Sequence, residues 1–244
     1  LTDDTTSAIH VRITDDAGNS GTATTQAYTH DDTAPSLLAI SSVCGDGYCN
    51  DDEDAAATTA GFTDSALDGQ TVTITVLTSA GSATGVTATG AVDSSGDFSI
   101  NADISSLADA TYKFTADVDD LAGNSATTAS QANVVKDVVD PTTTISGIGI
   151  SADTGTADDD FNTKTAAQTL TATLSAAIAS DDILQVSIDA GSNWVNDDHN
   201  TAAGTSLSTA ITLSGTSSIH VRIKDNAGNI GTAATQAYTL DTTA

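Results

Sequence analysis

Basic residues are scarce in this sequence. Its 244 residues include 6 Lys and Arg against 33 Asp and Glu, so the formal net charge is −27 at pH 7. A chain this acidic repels phosphate groups, which excludes nucleic acid as a partner. Nearly all the acidic residues are aspartate, whose short carboxylate suits turns and sites for hard cations.

Methionine is absent and aromatic residues make up 4% of the chain, although 39% of the residues are hydrophobic. The apolar residues, mostly Ala, Val, Ile and Leu, fall in short alternating runs that a disordered acidic tail would lack. Each run is far shorter than the ~18 residues that a membrane-spanning helix needs. We therefore expect a folded protein with thin aliphatic cores and no membrane insertion in this segment.

The chain repeats itself. The segment SAIHVRITDDAGNSGTATTQAYT at 7–29 returns as SSIHVRIKDNAGNIGTAATQAYT at 217–239, and a weaker copy lies at 115–130. The A-G-N triplets of the three copies follow one another at intervals of 105 residues. A fixed period of this length indicates tandem domains rather than one large fold.

Strand patterns dominate each repeat. Ile9, Val11 and Ile13 alternate with polar residues, which is the period of a half-buried strand. Similar runs lie at 71–78, 169–174, 182–195 and 219–223. Short strands within a 105-residue unit predict an all-β chain of tandem immunoglobulin-like β-sandwiches arranged end to end.

The two prolines, Pro35 and Pro141, each follow an acidic linker and mark the domain boundaries. We expect the final hairpin of a partial repeat at 1–34 and complete domains at 35–140 and 141–244. The chain ends DTTA where the earlier copy continues DDTAP, so we expect it to be part of a longer array. A lone hairpin is marginally stable, and the alternative is that 1–34 pairs with strands of another chain in a filament.

The D-D-A-G-N loop, the acidic linker and the strand between them resemble the bacterial Ig-like repeats of giant secreted adhesins and surface filaments. In that family, tandem sandwiches form extracellular stalks, and calcium ions at the junctions rigidify them. The resemblance therefore implies an extracellular, calcium-binding spacer. Its implied partners are the neighbouring repeats of the same chain and, in a filament, other copies.

The same resemblance implies calcium ligands in each D-x-A-G-N loop and in the linker that follows it. In the middle copy Leu121 and Val138 replace the second aspartates, so its site is either weaker or completed by Asp119 and Asp140. The implied ligands are Asp15, Asp16, Asn19, Asp31, Asp32, Asp119, Asp120, Asn124, Asp137, Asp140, Asp225, Asn229 and Asp241.

Electrostatics favours a metal wherever two such clusters meet. Two carboxylates about 5 Å apart repel by about 3 kcal/mol at an effective dielectric near 20. The few basic residues cannot neutralise every cluster, whereas a divalent cation with six to eight oxygen ligands can. The alternative is a set of solvated acidic turns, in which Asp, Asn and Gly are favoured for their own hydrogen bonds.

A second group of acidic clusters lies early in each complete domain. It consists of Asp51, Asp52, Glu53 and Asp54 in one domain, and of Asp153, Asp158, Asp159 and Asp160 in the other. We expect these clusters to reach the tip of the preceding domain and share its ion, to form separate sites, or to be solvated loops.

The stretch VCGDGYCNDDED at 43–54 occurs once and resembles small calcium-binding loops, although it lacks the EF-hand spacing. A Cys44–Cys49 disulfide would close a six-residue loop worth about 2 kcal/mol and hold Asp46, Asn50 and Asp52 in a fixed cage. Paired cysteines also fit an extracellular setting. A zinc site is not expected because two further ligands are missing nearby.

Nothing in the sequence indicates an enzyme. His10 and His220 occupy equivalent outward positions of a repeated strand, and no G-x-S-x-G elbow is present. The alternative function is a module that binds glycan or protein. For Trp194, the sequence leaves open whether the ring packs against the sheet or stacks on carbohydrate.

Overall fold

The computed structural model describes residues 5–197 and 204–243, and their regular structure is almost entirely β-strand. Two single turns of 3₁₀ helix lie at Asp54–Ala56 and Ser65–Leu67. No helix in the described part is long and apolar enough to cross a membrane. The predicted all-β class is confirmed.

The strands follow one another closely along the chain. In order they are β1 Thr5–Val11, β2 Thr24–His30, β3 Leu38–Val43, β4 Tyr48–Cys49, β5 Ala57–Thr63, β6 Thr71–Thr78, β7 Ala83–Ala91, β8 Asp97–Ala102, β9 Ala110–Val118, β10 Ala129–Lys136, β11 Ile145–Ile150, β12 Asn162–Thr163, β13 Ala167–Leu174, β14 Ile183–Ser187, β15 Val195–Asn196, β16 Ser206–Thr212, β17 Thr216–Lys224 and β18 Ala234–Leu240.

The strands of each sheet all come from the same repeat of the sequence. Strands β1 and β2 form a two-stranded sheet. The middle repeat (β3–β10) has sheets of order β3-β5-β8 and β4-β10-β9-β6-β7, and the last repeat (β11–β18) has the matching orders β11-β13-β16 and β12-β18-β17-β14-β15. By compactness the chain divides into two units, Leu1–Gly47 with Ala55–Val134, and Tyr48–Asp54 with Val135–Ala244.

Each complete repeat buries alternate residues of its strands. In β6, Val72, Ile74 and Val76 are fully buried, as the period-two pattern predicts. The core of the last repeat includes Leu170 of β13 and Tyr238 of β18. The two sheets of each complete repeat therefore enclose a core of aliphatic side chains with a few aromatic ones.

The N-terminal hairpin departs from this pattern. Ile9, Val11 and Ile13 are 56%, 62% and 82% exposed, whereas Ile219, Val221 and Ile223, at the same positions of the last repeat, are at most 1% exposed. The expected half-buried strand is therefore observed in β17 but not in β1. The reason is that the described β1–β2 sheet has two strands, with no second sheet to cover their apolar face.

In both complete repeats the chain crosses from one sheet to the other after its first strand. It then pairs in parallel with the last strand, β4 with β10 and β12 with β18. In the middle repeat a disulfide joins Cys44 and Cys49 across this crossing, as predicted. The buried Lys136 of β10 also forms an ion pair with Asp54, at 3.2 Å from Nζ to Oδ2, so this member of the predicted acidic cluster has a structural partner.

In the last repeat the buried side chain of Gln168 forms hydrogen bonds to the chain on both sides of the equivalent crossing between sheets. Its Oε1 accepts from the backbone N–H of Ala152 at 2.8 Å, and its Nε2 donates to the carbonyls of Ala152 and Thr165 at 3.0 and 2.7 Å. One side chain thus satisfies backbone groups on both sides of the crossing, where the middle repeat uses a covalent bond.

A tight turn joins β14 to β15. Asp189 accepts hydrogen bonds from the side chain and backbone of Asn193 and from Ser187. These bonds, led by that of the Asn193 side chain, lower the pKa of Asp189 to about 2. Ala190 and Gly191 follow in the left-handed region, at φ 59° and 84°, as expected for the Ala-Gly turn of a hairpin.

Replacing Gln168 with alanine should destabilise the last repeat by about 2–4 kcal/mol, because the substitution leaves a cavity and unsatisfied backbone groups in a buried position. Urea unfolding of the variant measures this loss. Gln236→Ala is the matched control, since within the described residues that amide donates to the adjacent Ala237 carbonyl rather than across the repeat. Equal midpoints for the two variants would contradict the assignment.

The depressed pKa of Asp189 predicts a pH-dependent contribution to stability. A carboxyl group with a lowered folded-state pKa stabilises the fold above its unfolded value of 3.8 and loses this effect as the pH falls toward about 2. The stability difference between wild type and Asp189→Asn should therefore shrink between pH 4 and pH 2. Thermal unfolding across this range tests it, and a constant difference would be inconsistent with the assigned hydrogen bonds.

Candidate functional site

The D-x-A-G-N motif builds a hairpin loop from its own hydrogen bonds. In the middle repeat, Oδ1 of Asp120 accepts from the backbone N–H groups of Ala122, Gly123 and Asn124 at 2.8–2.9 Å, and Oδ2 accepts from the Asn124 amide at 2.9 Å. These bonds, first that of the Asn124 side chain, lower the pKa of Asp120. Gly123 has φ 94°, which suits glycine.

The other two copies fold in the same way. Asp15 accepts from the side chain of Asn19 at 2.9 Å, and Asp225 accepts from that of Asn229 at the same distance. The motif is therefore in the first place a turn, which agrees with one of the alternatives left open by the sequence.

The asparagine of this loop also holds a linker. The side-chain Nδ2 of Asn124 donates to the backbone carbonyl of Asp31 at 3.2 Å. In the last repeat, Nδ2 of Asn229 donates to the carbonyl of Asp137 at 2.8 Å. In both cases the loop of a complete repeat binds the linker that precedes that repeat in the chain.

The expected grouping of each loop with the linker after it is therefore wrong. In the β1–β2 hairpin, Val11 pairs with Thr24 at the loop end, whereas Thr5 pairs with His30 at the other. The seven residues of β2 span roughly 20 Å at 3.3 Å per residue, so Asp31 lies far from Asp15. For the same reason Asp241, after β18, lies away from Asp225, and its N–H donates to the Thr163 carbonyl.

Carboxylates from three places converge beside each linker. The first linker cavity, about 480 Å³, is lined by Asp31 of the linker, Asp64 after β5 and Asp120 of the loop. The second linker cavity, about 360 Å³, is lined by Asp137, Asp140, Asp182 and Asp225. One expectation was that Asp140 completes the site of Asp120. Asp140 instead lines the same cavity as Asp225.

Asp64 and Asp182 are the site residues that the sequence did not reveal. Both lie in the connection between the second long strand of a repeat and the next strand of the opposite sheet. The only available signal was their recurrence at this point of both repeats. The predicted ligands Asp16, Asp32, Asp46 and Asp119 are instead exposed and line neither cavity.

The carboxylates of the second linker cavity repel one another. Burial raises the pKa of Asp182, and the charges of Asp225, Asp181 and Asp137 raise it further. Neither lysine nor arginine is among the residues that line the cavity. The site therefore concentrates negative charge without a basic side chain to balance it.

This donor set fits a hard cation such as Ca²⁺, which prefers carboxylate and carbonyl oxygens. Within residues 5–197 and 204–243, however, no three His, Cys, Asp or Glu side chains form a ready metal-binding group. A bound ion would therefore need backbone carbonyls or water among its six to eight ligands in addition to the carboxylates.

The acidic cluster after β4 does not reach the preceding repeat, contrary to one expectation. Asn50 donates to the carbonyl of Ala227 at 3.1 Å, and the N–H of Asp51 donates to Oδ1 of Asn229 at 3.1 Å. Both contacts are to the D-x-A-G-N loop of the following repeat, because β4 pairs with the final residues of β10. The Asn50 side chain also accepts from the Asp52 N–H, so it is already engaged in hydrogen bonds.

The corresponding cluster of the last repeat surrounds Asp153. Its Oδ2 accepts from the Phe161 N–H at 2.8 Å, and its Oδ1 is buried with no hydrogen-bond partner in the described structure. Asp158, Asp159 and Asp160 are exposed. A separate metal site here, like the cage expected around Asp46, stays a prediction.

Residues 40–137 match the family of bacterial Ig-like domains. None of the curated proteins matches.

Among solved structures, the chain is similar to a tetra-tandem repeat from the extending region of a large adhesion protein, with 24% identity and a TM-score of 0.37 over 98% of this chain and 57% of that one. It is also similar to a bacterial immunoglobulin-like domain of the M. primoryensis ice-binding adhesin, with 23% identity and a TM-score of 0.30 over 43% and 100%. A third is the BSP domain of a biofilm associated protein, with 17% identity and a TM-score of 0.26 over 81% and 29%. The chain therefore spans little more than half of the first of these.

The effect of the loop asparagine on its linker can be tested by comparing repeats. Asn229→Ala should speed hydrogen exchange at the amides of residues 138–140 by about five- to tenfold, since one hydrogen bond contributes about 1 kcal/mol. Asn19→Ala is the control, because the side chain of Asn19 donates to Asp15 in the same way without a contact to a linker in the described structure. If Asn229→Ala leaves linker exchange unchanged, the bond does not order the linker.

Proposed function

We propose that the chain, whose residues 40–137 match the family of bacterial Ig-like domains, is an extender, a structural segment of an extracellular adhesin or surface filament. One observation carries the proposal. In both complete repeats the asparagine of the D-x-A-G-N loop donates to the backbone of the linker before it. Because the same contact between loop and linker occurs in both complete repeats, an array of such repeats is suited to act as a spacer.

The contacts work by removing freedom from the linker. Each hydrogen bond contributes about 1 kcal/mol, and fixing one residue's backbone costs about as much in conformational entropy. The linker also contains a proline, Pro35 or Pro141, whose fixed φ lowers that entropic cost. The two effects together favour an ordered joint over a free hinge.

Calcium is the second part of the proposal. The ion would be held by Asp31, Asp64 and Asp120 in the first linker cavity, and by Asp137, Asp140, Asp182 and Asp225 in the second. It would supply the positive charge that the cavity walls lack. An ion that binds only the ordered joint stabilises it by RT ln(1 + [Ca²⁺]/Kd), about 2.7 kcal/mol at a hundredfold excess over Kd.

The proposed role is structural rather than enzymatic. The polar side chains at the linkers hold backbone groups and shape the joint, and the function needs no reacting group. The proposed location is extracellular, which agrees with the disulfide between Cys44 and Cys49.

The N-terminal hairpin supports a second candidate function, assembly with another chain. Its stripe of Ile9, Val11 and Ile13 is exposed, although the same positions of the last repeat are core residues. Strands like those that cover β17 would bury this stripe. Supplied by a second chain, they would make the protein a filament subunit.

The calcium proposal is tested by thermal unfolding. Adding calcium to chelator-treated protein should raise the midpoint by about 5 °C or more, since 1 kcal/mol shifts a domain of this size by several degrees. In Asp182→Asn combined with Asp225→Asn the rise should be reduced, because two of the proposed ligands lose their charge. Asp97→Asn, on the outer face of β8, is the control and should respond like the wild type. An unchanged midpoint in the wild type would refute calcium binding.

A further inference from the structure

The chain's only tryptophan, Trp194, lies on the outer face of the last repeat. The guanidinium carbon of Arg222 is 3.8 Å from the centre of its ring, and the His220 ring meets it edge-on at 6.2 Å between centroids. Both partners belong to β17, whose alternate residues Val221 and Ile223 point into the core. Arg222 and His220 therefore cover part of the indole, and the rest of this half-buried ring is partly exposed.

A network of hydrogen bonds fixes the ring's support. Arg222 donates from Nε to Oε1 of Gln185 at 2.9 Å, and Gln185 donates from Nε2 to Oδ1 of Asn196 at 2.9 Å. On the other side of Trp194, Asn193 is tied to Asp189 through its backbone and its side chain. The indole thus lies on a fixed cation, and the amides of the nearby chain positions 193 and 196 are anchored, which is the preorganisation that a binding site requires.

This arrangement matches the chemistry of a sugar ring. A rigid aromatic face offers a large apolar contact at low entropic cost, and it attracts the weakly positive C–H groups on one face of a pyranose. Asn193 and Asn196, one and two residues from Trp194 in the chain, carry amides that can exchange hydrogen bonds with hydroxyl groups.

The charge of the protein decides which sugars are suitable. A net charge of −27 repels polyanions at long range, and the Asp189 carboxylate lies in the same turn as Trp194. Neutral sugars avoid this repulsion. We propose that Trp194, with Asn193 and Asn196 beside it, is a binding platform for glycans built of neutral hexoses.

This proposal is independent of the extender function. An extender with such a platform on one repeat would contact glycans at that repeat as well as spanning a distance. It requires neither calcium nor an ordered linker, so its failure would leave the proposed function untouched.

Because Trp194 is the only tryptophan, its fluorescence reports directly on the platform. Titration with cellohexaose and mannohexaose should shift or quench the emission in a saturable manner for at least one of them, whereas hexagalacturonate at the same concentration should not. No saturable change with either neutral hexasaccharide, or a change with the acidic one alone, would overturn the proposal.

Substitutions locate the binding. In native gels containing the polysaccharide of whichever hexose binds, Trp194→Ala should lose about tenfold in affinity, equivalent to 1.4 kcal/mol. Trp194→Phe should retain part of the retardation, since it keeps an aromatic face. Thr169→Ala, on an outward position of β13, is the control and should migrate like the wild type. Equal retardation of Trp194→Ala and wild type would place the binding elsewhere and contradict the proposal.

Discussion

The hydrogen bond from the asparagine of the D-x-A-G-N loop to the linker carbonyl is the contact on which the rest of the account depends. The aspartate of the motif folds the loop and accepts from the same amide group, so one side chain joins the loop's own turn to the linker. The contact recurs in the last repeat with the same donor and acceptor atoms. The contact between loop and linker thus recurs in both complete repeats, together with the arrangement of strands.

The electrostatics of the joint follows from this contact. Holding the linker against the loop brings its aspartate to the carboxylates of the loop and of the connection after the second long strand. Burial raises the pKa of Asp182, and the neighbouring carboxylates of Asp225, Asp181 and Asp137 raise it further. The contacts to the linker therefore accompany a cluster of negative charge, and the proposed divalent cation would relieve the repulsion within it.

The sequence predicted the fold far better than it predicted the site. Alternating residues located β6, β13 and β17, and closely spaced cysteines located the disulfide, because both signals are local. Two carboxylates can lie close together only if their loops are at the same end of the sandwich. The periodicity of the sequence does not show at which end a loop lies. Asp31 was therefore grouped with the wrong loop, and Asp64 and Asp182 were missed.

Burial also depends on partners that a local pattern cannot reveal. The stripe of Ile9, Val11 and Ile13 has the same pattern as its buried copy and is nevertheless exposed. The sequence placed Asp54 in an acidic cluster that was a candidate metal site, yet Asp54 forms an ion pair with Lys136, 82 residues away in the chain. In each case the deciding contact is supplied by a distant strand.

The most direct test of the central claim is the backbone order of the linkers in solution. Nuclear spin relaxation at the amides of residues 31–34 and 137–140, in calcium-free buffer, would measure it. The account predicts order parameters close to those of the neighbouring strands, about 0.85, because the asparagine bond holds the linker without an ion. Values below about 0.6 in both linkers would show free hinges and would contradict it.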